Sequence, residues 1–177
     1  GGLTLATSGA VSVVGATTVS AGTLNLSTTN TVLFTGAVTV SGTGTLTDAD
    51  NTSTTTFGNS FTLTAGTVNL SALSTANCIF NGAITNTSGT FNIPTATIQA
   101  GGQTITATQA TNFTGGIVIT GSGALTFAGA GGTILGGATN PTFPAAITVS
   151  AGSSLQLAGT GVTTVTTTST IAGTLDI

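Results

Sequence analysis

A five-residue pattern, Gly22-Thr23-Leu24-Asn25-Leu26, returns along this chain at near-regular intervals. Copies begin at Gly1, Gly22, Gly44, Gly66, Gly89, Gly123, Gly152 and Gly173, with start-to-start spacings of 21, 22, 22, 23, 34, 29 and 21 residues. A period between about 20 and 50 residues is the mark of stacked units, each too small to bury its apolar side alone. A second landmark agrees: Phe34, Phe57 and Phe80 are 23 residues apart. Each unit therefore has to close into one coil that leans on the next.

Within a coil, apolar and hydroxyl residues alternate with period two, as in Val38-Thr39-Val40-Ser41 and Phe61-Thr62-Leu63-Thr64. That alternation describes half-buried strands. Thr, Val and Gly dominate and Lys and Arg are missing, so helix is disfavoured. Three short strands per coil predict an all-β fold, a single parallel β-helix solenoid over residues 1–177 with about seven coils of roughly 22 residues. At a strand spacing of roughly 4.8 Å the stack is about 34 Å long. Two inward ladders follow: Leu24, Leu46, Val68 and Phe91 in one, and Phe34, Phe57, Phe80, Phe113 and Phe143 in the other. Cys78, two residues before Phe80, shares the inward side and reads as a buried small hydrophobe. The long spacings predict enlarged loops near 94–112, with a short extra strand near Thr104-Ile105-Thr106, and near 129–141. Insertions in such arrays map to loops on one face, often a binding face.

Composition removes several functions. The chain has no Lys, Arg or His and only three acids, Asp48, Asp50 and Asp176. Nucleic-acid binding needs a basic footprint, and polybasic membrane attachment needs the same residues. No apolar run is long enough for a spanning helix, and short Gly-broken strands without Trp or Tyr do not suit a transmembrane barrel. General acid–base and Ser-His-Asp chemistry lack their groups, so the chain reads as a non-enzyme with no cofactor.

The remaining candidate sites are few. Asp48 and Asp50 alternate like the start of a calcium loop, but Asp and Asn are also ordinary turn residues. Asn25, Asn51, Asn69, Asn86 and Asn112 each begin an Asn-x-Ser/Thr acceptor for glycans. Outward hydroxyl pairs, Thr18/Ser20, Thr39/Ser41, Thr62/Thr64, Thr85/Thr87 and Thr148/Ser150, take one repeat position in several coils. Such a Thr-x-Thr ladder on a β-solenoid resembles the ice-binding surface of some antifreeze proteins.

Thr17-Thr18-Val19-Ser20-Ala21-Gly22-Thr23-Leu24-Asn25-Leu26 and Ile147-Thr148-Val149-Ser150-Ala151-Gly152 resemble the repeats of bacterial autotransporter passenger domains and filamentous-haemagglutinin-like surface proteins. The resemblance implies a right-handed parallel β-helix that is secreted and displayed on a cell surface as stalk, adhesin or fibre. The chain begins and ends at the same phase of its repeat, which leads us to expect a segment of a longer array or a unit that polymerises head to tail. Its expected partners are copies of itself and a host or cell-surface ligand. Ice binding through the Thr ladder is the competing expectation.

Overall fold

The computed structural model describes residues 1–177 except 28, 29, 49, 51, 74–76, 94, 110, 114, 115, 138–140, 161, 162 and 166. It is all-β, with no helix among the described residues and every strand pair parallel. The coils stack as a β-solenoid of about seven turns. Three faces run along it. Face A holds the strands Gly2–Thr4, Thr23–Asn25, Thr45–Thr47, Thr67–Asn69 and Thr90–Asn92. Face B holds Val11–Val13, Thr31–Phe34, Thr54–Phe57, Cys78–Phe80, Thr95–Gln99 and Gly116–Thr120. Face C is the longest, from Thr17–Val19 through Val38–Val40, Phe61–Leu63, Ile84–Asn86, Thr104–Ala107, Leu125–Ala128 and Ile147–Val149 to Thr170–Ile171. A fourth sheet, D, joins Thr111–Phe113, Thr133–Leu135, Ser154–Leu157 and Thr174–Asp176. Phe91, on the last strand of face A, meets Phe113, on the first strand of sheet D, edge to face at 5.5 Å.

Register follows the repeat. Leu3 pairs with Leu24, Leu24 with Leu46, Leu46 with Val68 and Val68 with Phe91, which makes the expected leucine ladder one unbroken row. On face B, Val13, Phe34, Phe57 and Phe80 form the second row. The rings of Phe34 and Phe57 stack at 5.5 Å and 5° between planes, and those of Phe57 and Phe80 at 4.9 Å and 14°. Phe61 comes in edge-on to Phe57 at 4.8 Å from face C. Offset and edge-to-face contacts suit the ring quadrupole and add to the area they bury. Period-two alternation puts these residues inside and their Thr neighbours outside, because successive side chains of a strand point to opposite faces.

Two expectations fail in the second half. Phe113 and Phe143 are not part of the Phe34 row. Ile98 and Ile119 continue that row instead, Phe113 pairs with Leu135 in sheet D, and Phe143 forms an isolated parallel bridge to Val165. The short strand expected near Thr104-Ile105-Thr106 is present as Thr104–Ala107, but 94–112 is not otherwise an enlarged loop, since it also holds Thr95–Gln99 and runs into Thr111–Phe113. It is a coil of ordinary length. Likewise 129–141 contains the strand Thr133–Leu135, paired on both sides. The Gly123 copy of the repeat lies on face C, where Leu125 pairs with Ile147, and it mimics the face A pattern without its position. Without that copy, the 63 residues from Gly89 to Gly152 divide into three coils of about 21.

The corners set the pitch. The N–H groups of Thr45, Thr67 and Thr90 donate to the carbonyls of Gly22, Gly44 and Gly66 at 2.8, 2.9 and 2.9 Å. Gly66 has φ +83°, and a methyl group placed on it would strike the Gly44 carbonyl oxygen. The position demands both the left-handed conformation and the missing side chain. Gly66→Ala is expected to lower stability by at least about 1–2 kcal/mol, the cost of left-handed backbone alone. Phe57→Ala, which empties the middle of the ring stack, is expected to cost about 3–5 kcal/mol. Thermal or denaturant unfolding followed by circular dichroism checks both, and a neutral Gly66→Ala would show that the coils do not meet in close backbone contact at this corner.

Candidate functional site

The outward rows are the surface left for function once the ladders are buried. On face C, Thr18, Thr39, Thr62, Thr85 and Thr106 lie in register on five successive strands. The next partner of Thr106 is Ala128, and the row stops there. A second row starts two residues to the side on the same strand as Thr106, and runs Thr104, Thr126, Thr148, Thr170. Every strand of face C therefore presents at least one outward Thr, with the file of methyl and hydroxyl groups stepping sideways once, at Thr104-Ile105-Thr106. Thr148 belongs to the displaced row, not to the row of Thr85. The second hydroxyl column is mixed: Ser41, Thr64, Thr87 and Thr108 follow the first row, while Ser150 and Ala172 follow the second.

Face A carries a different set. Thr23, Thr45, Thr67 and Thr90 form one outward row, and Asn25, Thr47, Asn69 and Asn92 the other. The Asn92 side-chain amide donates to Asn69 Oδ1 at 2.9 Å across coils, and the Ser71 N–H donates to the same oxygen at 3.3 Å. Of the glycan acceptors, Asn25 and Asn69 are half-buried on this outer row, and Asn112 is half-buried on the outer row of sheet D with Ile134 and Gln156. Asn86 corrects the expectation. It sits inward on face C between Leu63 and Ala107 and is 1% exposed, so the folded chain gives a glycan no room there. Asn51 lies outside the described residues.

Asp48 and Asp50 form a turn closed by the chain's own donors. Asp48 is buried, with the Asp50 N–H on Oδ1 at 3.0 Å and the hydroxyls of Ser53 and Thr55 on Oδ2 at 3.1 Å each. Asp50 Oδ1 accepts the Thr52 N–H at 2.8 Å and hydroxyl at 2.7 Å. This is how short polar side chains hold local turns. Among the described residues no group of three or more His, Cys, Asp or Glu could hold a metal ion. Ser53 and Thr55 were not singled out from the sequence, since a hydroxyl facing inward looks like any other Ser or Thr in so Thr-rich a chain.

Comparison with known proteins returns nothing to carry across: no family model matches the chain, and no curated protein or solved structure is significantly similar to it.

Cys78 lies inside the ladder, paired with Thr55, and is fully buried. Burial pushes its thiol far above the ordinary range, and the nearby Asp48 carboxylate adds to the shift. Since the thiolate is the nucleophile, the sulfur is inert in the folded state. A thiol-reactive dye is expected to label Cys78 only as fast as the protein unfolds, and labelling at the rate of a free thiol under native conditions would show the core to be open.

Proposed function

We propose that this chain is a non-enzymatic structural element of an extracellular fibre or adhesin stalk, a rod that lengthens by adding coils. The observation that carries the reading is continuous parallel pairing in one register through eight successive strands of face C. A solenoid of this kind gains stability as a sum over neighbouring coils, so length adds rigidity without needing a new core. Among the described residues, the outer strands of the stack, Gly2–Thr4 and Thr174–Asp176, each pair on one side only. Unpaired strand edges are templates for further strands. Coils of the same chain or of another copy would add to them in the same register, with Leu3, 60% exposed, waiting for the next rung of its ladder. A formal charge of −3 over 177 residues offers little repulsion against such association. The repeat's likeness to surface-displayed passenger domains supports an extracellular, cell-surface setting.

Electron microscopy and sedimentation of residues 1–177 over a range of concentrations test this. Filaments growing with concentration, of one coil's cross-section, are expected, and uniform short rods at every concentration would overturn self-association end to end.

A second reading has its own observation, the in-register Thr rows of face C. A regular array of methyl and hydroxyl groups at strand spacing, roughly 4.8 Å, can order water as a lattice does, and that favours an ice-binding face. Thermal hysteresis measured on the protein and on Thr62→Tyr, which breaks the row at an outward position, decides it. Hysteresis lost in the variant at unchanged melting temperature is the expected result for an ice binder, and its absence from the unaltered protein ends that reading.

A further inference from the structure

One coil breaks the apolar ladder. Asp48 takes the fifth position of the repeat, which Leu26 holds one coil before and Leu70 one coil after. The backbone confirms the slot: the Leu26 N–H donates to the Thr47 carbonyl at 2.8 Å, and the Asp48 N–H to the Asn69 carbonyl at 3.1 Å. Leu26 and Leu70 are 0% exposed and Asp48 is 2% exposed, so a carboxylate stands where its neighbours place leucine. The change is matched on face B, where Thr55 pairs with Val32 of the coil before and is fully buried, as is Ser53 beside it. Their two hydroxyls close on Asp48 Oδ2, and the Asp50 N–H closes on Oδ1.

No positive side chain offsets this charge, because the chain has no Lys, Arg or His. The groups that face it are neutral or acidic: the Cys78 thiol on the rung next to Thr55, the Asp50 carboxylate on the turn, and the Asn69 backbone of the following coil. A buried unpaired charge is costly, and removing the charge is the cheap way out.

We propose that Asp48, Ser53 and Thr55 form an acid-tightening lock, so that the solenoid gains stability as the pH falls. Protonation removes the buried charge, and the two hydroxyls, free to rotate, keep hydrogen bonds with the carboxyl. The sign follows from linkage. Burial raises the Asp48 pKa above its ordinary 3.8, against the opposing hydrogen bonds from Asp50, Thr55 and Ser53. A carboxyl raised in the fold holds its proton more tightly there than in the unfolded chain. Stability therefore rises as pH falls through the folded value, and the gain is complete below the unfolded value. Asp50 works the other way, its pKa held down by the Thr52 hydroxyl and N–H, and weakens the fold slightly below pH 3.8. The common routes to acid unfolding, loss of ion pairs and charging of buried histidine, are closed to a chain without basic side chains.

Thermal unfolding between pH 7 and pH 3.5 tests the lock. The unaltered protein is expected to melt higher at the acid end, by about 2–4 °C for each kcal/mol of linkage. Asp50→Asn keeps that rise. Asp48→Asn flattens it, and the double variant Asp48→Leu/Thr55→Val, which restores the residues of neighbouring coils, is flat and at least as stable at pH 7. A melting temperature that falls on acidification, or an Asp48→Asn protein with the original slope, overturns the proposal. Should the Asp48 variants fail to fold, carbon NMR titration of the three aspartates in the unaltered protein decides: one midpoint above the ordinary carboxylate value supports the lock, and none above it refutes it.

Discussion

Hydrogen bonding between successive coils at the corners, as well as along the faces, is the constraint on which this solenoid rests. A parallel strand pair needs its neighbour at about 4.8 Å throughout, and a side chain at the turn would wedge the coils apart. Gly22, Gly66 and Gly89 meet that need with positive φ and no Cβ, each lying against the Gly of the preceding coil. Gly36 serves another corner through its missing Cβ alone, since a methyl group there would run into the Gly15 carbonyl. With the corners closed, the faces pair in register, and every inward residue is delivered onto the residue one coil away. The leucine and phenylalanine ladders are a consequence of that delivery.

The same delivery makes outward rows. Face C repeats Thr because each coil places its Thr over the last, and face A repeats Thr and Asn for the same reason. A regular polar surface thus follows from the stacking of similar sequences. The sideways step at Thr104-Ile105-Thr106 shows the limit of the repetition: Ile84 and Ile105 keep register with the coils before, and Phe127 takes over the inward row with Thr126 displaced relative to Thr85. The inward row is preserved through the step while the outward row shifts, as expected when burial of Ile105 and Phe127 outweighs any preference of exposed hydroxyls.

The polar rung at Asp48 belongs to the same logic. Stacking would have delivered a leucine there, and the chain instead delivers a carboxylate with two hydroxyls to meet it. Buried polar sets are tolerated when each member is satisfied, and this one is closed by Ser53, Thr55 and the Asp50 N–H.

Much of this was legible in the residues alone. The 21- to 23-residue period, the alternation of apolar and hydroxyl residues and the glycine punctuation determine an all-β solenoid, its three strands per coil and its first ladders, because these are local patterns that each coil repeats. Asp48 at a leucine position could also be read from the Gly44 copy of the repeat. Which strand meets which was not legible where the copies became ambiguous. Gly123-Ala124-Leu125-Thr126-Phe127 looks like the face A pattern yet folds on face C, and so 94–112 read as an enlarged turn with one short strand at Thr104-Ile105-Thr106, and Phe113 and Phe143 as rungs of the wrong ladder. Asn86 likewise matches a surface motif yet points into the core. Only the tertiary structure decided these, because a strand of three to five residues carries too little pattern to name its face, and the choice is made by the neighbouring coils it has to pair with.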